Sequence, residues 1–148
     1  MPVVIMGSAV FFNLINTFFL GAWLGWFAQF PTNWLASIPF IIGAFLFAIG
    51  MLINLSSDEI LLHLRKPGET GYKIPKGGMF KWISCPNHFG EMLEWIGYAL
   101  MAWHIAALSF AVWTVANLLP RALDHHKWYR EHFDSYPKER KAVFPFLL

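Results

Sequence analysis

Between Met1 and Ser57 the chain contains no Lys, Arg, Asp or Glu. Charged residues make up only 14% of the 148 residues, against 57% hydrophobic, where soluble domains carry about 25% charge. The opening stretch has no basic start and far exceeds the apolar core of a signal peptide, roughly 7–15 residues. It is long enough for two membrane spans of about 20 residues each. Cysteine is almost absent too. A single Cys85 excludes an internal disulfide and any multi-cysteine metal site. Internal repeats and low-complexity linkers are lacking as well. The net charge of +2 says little, and nucleic acid is not an expected partner. The composition therefore specifies an all-α integral membrane protein.

The apolar runs place the spans. The first covers about Val3 to Phe30 and the second about Leu35 to Leu55, joined by a short turn through Gln29, Pro31, Thr32 and Asn33. A charged segment from Asp58 to Lys81 follows, containing KPGETGYKIPKGG, whose glycine and proline density predicts irregular backbone. The last run is Trp95 to Leu119. Lys and Arg favour the cytoplasmic side. Five lie between Arg65 and Lys81, six between Arg121 and Lys141, and none in the turn at 29–34. One tilted helix through the last run would put the two basic segments on opposite sides. From His88 to Phe133, however, there is room for two helices with a tight bend near Trp103 to Ala106. That arrangement makes about four transmembrane helices and keeps both basic segments, and the C-terminus, cytoplasmic.

Polar residues mark three helix faces, since neighbours recur at three or four positions. Asn54, Asp58 and Arg65 form one, Asn87, Glu91 and Glu94 a second, and Arg121, His125, Tyr129 and His132 a third. Each set lies at the end of a span, and the hairpin gathers all three at the cytoplasmic end. A single stripe of this kind reads equally as a solvated helix terminus. Glu91 and Glu94, however, stand where an apolar helix begins, and carboxylates there are costly and often functional. Together the faces suggest a pocket for a large polar ligand. Arg65 and Arg121 suit phosphates, while Tyr72, Trp128 and Tyr129 could stack on rings. Adjacent His125 and His126 point about 100° apart on a helix and cannot both ligate one ion, and no His-x-x-x-His pair is present, so no metal is expected. His88 and His104 read as helix-start and bend residues.

The stretches GMLINLSSDEILLHLRKPGETGYKIPKGGMF, SCPNHFGEMLEWIGYAL and RALDHHKWYREHFDSYPKERKAVFPFLL resemble, in order and spacing, the C-terminal part of the steroid 5α-reductases (3-oxo-5α-steroid 4-dehydrogenases). The likeness covers about Gly50 to Leu148 and is looser before it. It implies that residues 1–148 form the C-terminal domain of a seven-helix membrane bundle, in a bacterial inner membrane or the endoplasmic reticulum. The bundle would reduce a carbon–carbon double bond conjugated to a ketone, with NADPH as cofactor and a steroid or other lipid enone as substrate. The cofactor residues it implies are Asn54, Asp58, Arg65, Tyr72, Asn87, Glu91, Arg121, His125 and Tyr129. Arg65 and Arg121 would hold phosphates, and Asn87 and Glu91 the nicotinamide end. Leu62 departs from the pattern, where some relatives carry a basic residue. The family's ketone-binding Glu and Tyr belong to N-terminal helices absent here, so the catalytic residues are unknown. The chain is expected to be a fragment, a gene product starting at an internal Met, or a half that needs a partner, and to be inactive alone. An isoprenylcysteine-type methyltransferase, suggested by Pro86, Asn87 and Gly90, and an inactive truncated remnant are the alternatives.

Overall fold

The computed structural model describes residues 3–147; Met1, which bears on the internal-start expectation, lies with Pro2 and Leu148 outside the described residues. Among those described, four helices form and no strand. Helix α1 spans Val3–Ala22 and runs on into a π-helical turn at Trp23–Phe27. Its side chains are apolar nearly all round and mostly exposed, as expected of a helix in lipid. It meets the remaining helices through rings: Phe12 stacks on Trp113 at 4.3 Å, and Trp23 on His104 at 3.9 Å.

Helix α2 spans Ile38–Leu62. It begins three residues later than the apolar run, because Trp34–Ala36 form a separate 3-10 turn. The Trp34 indole N–H reaches the Met101 carbonyl at 3.0 Å. Ser37 then caps α2 by accepting from the Phe40 N–H, with Pro39 in the first turn, a normal start signal. The helix continues seven residues past Leu55, carrying Asp58 and Glu59 out of the apolar zone. Its fully buried residues are all small: Gly43, Gly50 and Ser57. They face α3.

After α2 the chain is irregular to Cys85, apart from a 3-10 turn at Gly78–Lys81. Gly68, Gly71 and Gly77 take positive φ there. The C-terminal tail closes over this segment. Cys85 donates its N–H to the Ala142 carbonyl at 3.1 Å, and Lys141 donates to Trp82 at 2.8 Å. Phe80, Ile83 and Val143 are buried beneath.

Helix α3, Pro86–Ala102, starts with proline and stops at Trp103, whose φ is 47°. His104 caps α4, Ile105–His132, by accepting from the Ala106 N–H at 3.1 Å. The last apolar run is thus two antiparallel helices with a two-residue reversal where the charge count required one. A stripe of Ala107, Ala111, Thr114, Leu118 and Ala122 buries one face of α4. Three of the four helices, α1 with its π turn, α2 and α4, are long and apolar enough to cross a membrane. The expected fourth, α3, has 17 residues, about 25 Å, and carries His88, Glu91 and Glu94 in its first half. The protein is an all-α integral membrane protein.

Candidate functional site

Contact between α2 and α3 is set by glycine. Gly43 faces Gly97 and Gly50 faces Gly90, each close enough that an added Cβ would lie within 2.6 Å of the opposite backbone. Side chains flanking these contacts must therefore meet at short range. Asn54 donates to Glu94 Oε1 at 3.1 Å, which fixes the register at the charged end of the pair. One turn further along α2, Asp58 comes within electrostatic reach of both His88 and Glu91.

The hairpin brings α4 to the same place. Arg121 stands within electrostatic reach of Glu91 and His88. The rings of His88 and His125 lie 6.1 Å apart. Glu91 and Arg121 line a cavity of about 620 Å³ between α1, α3 and α4, walled by Phe12, Trp95, Phe110 and Trp113. Further along the same face of α4 a second cavity, about 360 Å³, is lined by Tyr72, Asp124, His125, Trp128 and Tyr129. Tyr72 from the irregular segment lies against Trp128 with ring centres 4.7 Å apart.

Behind this face sits a buried polar cluster. Ser84 Oγ is 2.6 Å from His126 Nδ1 and 2.6 Å from the Tyr136 hydroxyl, and it donates to the Lys141 carbonyl at 3.0 Å. Tyr136 stacks on Tyr129 at 5.3 Å, 10° from parallel. On its ring lies the Arg140 guanidinium, 5.0 Å from the centre, which donates to the Pro75 carbonyl. The cluster thereby backs Tyr129 and pins the irregular segment to α4. Burial pushes the neighbouring Cys85 thiol up to about 12. In the exposed segment, the Lys73 ammonium and then the Lys66 backbone N–H hold the Glu69 carboxyl below its ordinary value.

Of the residues expected from sequence, Asp58, Glu91, Arg121 and His125 converge, and Tyr72 and Tyr129 join His125 around the second cavity. Asn54 is bonded to Glu94. Asn87 is half-buried in the first turn of α3. Arg65 is exposed and donates to the Gly71 carbonyl at 3.4 Å, which places it beside Tyr72's segment rather than with Arg121. His88, read as a helix-start residue, also belongs to the cluster, and its buried Nδ1 has no partner. Its three-residue spacing from Glu91 was the available signal. Likewise Thr114 and Asn117 line the larger cavity, spaced seven and four residues before Arg121. His125 and His126 diverge, one toward His88 and the other into the buried cluster. Among the described residues, no three His, Cys, Asp or Glu side chains stand close enough to hold a metal ion.

Chemically, the two cavities follow one another along one face of α4. From Arg121 to Tyr129 the rise is about 12 Å. Cationic donors, carboxylates, an unpaired imidazole nitrogen and a ring platform lie on or beside it. Such a set suits an elongated, anionic, ring-bearing ligand, with an aromatic chamber at its membrane end.

The sequence profile described as "3-oxo-5-alpha-steroid 4-dehydrogenase" matches residues 1–148. Bovine "3-oxo-5-alpha-steroid 4-dehydrogenase 1" is 49% identical over 148 residues, 100% of this chain and 58% of the bovine protein. The tomato (Solanum lycopersicum) protein named "Steroid 5-alpha-reductase DET2" is 47% identical over 147 residues, 99% of this chain and 57% of its own length. The human protein named like the bovine one is 44% identical over 147 residues, 99% of this chain and 57% of its own length. The chain thus spans somewhat more than half the length of these relatives.

Proposed function

Since the chain belongs to the 3-oxo-5-alpha-steroid 4-dehydrogenase family, we infer that it serves NADPH-dependent reduction of the 4,5 double bond of a 3-oxo-4-ene steroid or similar lipid enone, contributing mainly the cofactor site. The observation that carries this reading is the convergence of Asp58, Glu91, Arg121 and His125, from three helices, beside two cavities that share one face of α4. The donor set fits a dinucleotide phosphate. Arg121 and His125 would meet phosphate oxygens, with Tyr129 and Tyr72 beside them and Arg65 approaching from the irregular segment. Asn54 and Asp58 would border the site, and Asn87 and Glu91 would accept from the amide of the nicotinamide end. When bound, NADPH supplies hydride to the carbon distal to the ketone.

The protein's own work is to orient. Trp95, Phe110 and Trp113 give the larger cavity an aromatic lining against which apolar rings can lie. Holding the enone against the cofactor converts a bimolecular encounter into an oriented one. Residues polarising the ketone are not assigned in this chain. We read residues 1–148 as the C-terminal domain of a seven-helix bundle, with both basic segments cytoplasmic, in a bacterial inner membrane or the endoplasmic reticulum. The full-length family match favours reductase over methyltransferase chemistry.

Membranes from cells expressing residues 1–148 together with the N-terminal helices of a family relative, given NADPH and a 3-oxo-4-ene steroid, should yield the product with two added hydrogens by mass spectrometry, and membranes holding residues 1–148 alone should not. Absence of NADPH-dependent product, with methyl transfer from S-adenosylmethionine instead, would establish the methyltransferase.

A further inference from the structure

The C-terminal tail ends in apolar side chains that the fold leaves uncovered, and it does so at one level of the bundle. Val143 is fully buried in a cluster with Met92, Leu118 and Ala122. Leu118 belongs to the apolar run of α4 and Ala122 lies just past Arg121, so Val143 is seated where that helix leaves its apolar stretch. Phe144 packs beside it, edge-on to Phe89 at 5.9 Å. The next residues turn outward. Phe146 takes a φ of 67°, a conformation that bulky side chains seldom adopt. Phe146 is 79% exposed and Leu147 81%.

Lysines and a tryptophan stand on the segment bonded to this tail. Ile83 and Lys141 form a parallel bridge. The Lys141 N–H reaches the Trp82 carbonyl at 2.8 Å, and the Lys141 carbonyl accepts from the Ser84 N–H at 2.8 Å. Trp82 is half exposed, and the side chains of Lys81 and Lys141 are exposed beside it. Charge here has one sign. Residues 70–90 and 140–148 contain no Asp or Glu, but carry Lys73, Lys76, Lys81, Arg140 and Lys141. Lys73 is paired with Glu69 and Arg140 is buried, while Lys76, Lys81 and Lys141 are exposed. None of Lys81, Trp82, Lys141, Phe146 and Leu147 lines either cavity described above.

We propose that Lys81, Trp82, Lys141, Phe146 and Leu147 form a surface that docks on the anionic headgroups of the bilayer in which the helices sit. Along the tail the order is positive, then apolar, which is the order in which a bilayer presents headgroups and acyl chains. The ammonium groups of Lys81 and Lys141 meet lipid phosphates, and their long stems let the charge reach past apolar surface. Trp82 takes the headgroup level that indoles favour. Phe146 and Leu147 enter the acyl boundary, where their exposure costs nothing. The surface therefore distinguishes anionic from zwitterionic lipid through the lysines, and lipid from water through the apolar pair.

The test attaches a fluorophore at Leu147→Cys, with Cys85 left in place because it is buried. The full chain is placed in nanodiscs of phosphatidylcholine alone or with added phosphatidylserine. Emission is quenched from the lipid side by a spin-labelled phospholipid and from the water side by acrylamide. Phosphatidylserine should raise lipid-side quenching and lower acrylamide quenching. Each lysine near an anionic surface shifts the docked-to-free ratio on the order of fivefold, so K81Q and K141Q should each lower it by about that factor, and the double variant should respond alike to both lipid compositions. F146S should lower lipid-side quenching in both. The lysines are exposed, so these variants are expected to fold, and unchanged helical circular dichroism checks that they do. Equal quenching in the two compositions, or lysine variants indistinguishable from the wild type, would overturn the proposal. Shielding from both quenchers would overturn it too, by showing that protein covers the tail. Loss of the phosphatidylserine effect on adding inorganic phosphate at constant ionic strength would replace the lipid surface with a site for a free anion.

Discussion

Gly50 and Gly90 press their backbones together so closely that a Cβ on either would come 2.6 Å from the other's carbonyl oxygen. Small residues let membrane helices approach in this way. Gly90→Ala should push α2 from α3, stretch the Asn54–Glu94 hydrogen bond, and cost about 1–3 kcal/mol, the usual penalty of overpacking. Gly7→Ala should be neutral, since nothing lies within 4 Å of that position. Thermal unfolding in detergent, followed by size-exclusion profile, compares the two. Equal midpoints would show that the helix pair is not held at this spacing.

Arg121 lines the larger cavity, one helical turn before His125 of the second. Arg121→Ala should weaken NADPH by about 1.5–3 kcal/mol, the range for a hydrogen bond to a charged group. NADPH should also be preferred to NADH in the wild type, because Arg121 gives the larger cavity a fixed positive charge. Titrating both cofactors into wild type and variant measures this. Indifference to the extra phosphate would remove the charge argument.

The irregular segment and the tail should face the same side of the membrane. Cysteines placed at Glu69 and Lys141, both exposed, should react with an impermeant thiol reagent from one side only. Labelling from opposite sides would contradict the hairpin topology. Background should be low, because Cys85 is buried and its thiol is pushed up to about 12, and only thiolate attacks.

The same thiol makes a pH prediction. The fold favours the neutral form, so its contribution is complete below the ordinary thiol value of 9.0 and is lost as pH climbs from there toward about 12. Unfolding midpoints of the wild type should fall over that window more than those of Cys85→Ala. Parallel curves would show that Cys85 is solvated.

Ser84 holds His126 and Tyr136 at once. Ser84→Ala should leave both partners unsatisfied in a buried place, costing about 1–3 kcal/mol. Cofactor affinity should fall with it, since Tyr136 backs Tyr129. Tyr136→Phe keeps the stack and should cost less. Calorimetric binding together with unfolding midpoints separates the two effects, and an unchanged cofactor affinity in Ser84→Ala would show that the cluster is only structural.

The membrane class, the reversal near Trp103 and the three polar faces could be read in the sequence because each is local: charge-free length, lysine and arginine count, and spacing of three or four. The start of α2 was blurred because Trp34–Ala36 is as apolar as the helix behind it, and only the Ser37 cap separates them. The seven-residue spacing of Gly43 with Gly50 and of Gly90 with Gly97 is plain in the sequence, yet its meaning depends on knowing which helices pair. The Ser84, His126, Tyr136 and Arg140 cluster joins residues far apart in the chain, so no spacing rule reaches it. Arg65 fits its predicted face by angle, but α2 ends at Leu62, and the helical argument no longer holds there.

The two-residue reversal at Trp103 and His104 also sets which chain lengths the protein tolerates. Helix α4 leaves that corner with no slack, so each residue inserted between Ala102 and Ile105 would turn it by about 100° and shift it by 1.5 Å. Arg121 and His125 would rotate away from Glu91 and His88 although no side chain had changed. Within the irregular segment the exposed residues 66–71 can lengthen or shorten without turning α4, provided Tyr72 keeps its place against Trp128. Length variation is therefore expected on one side of the bundle and excluded at the other.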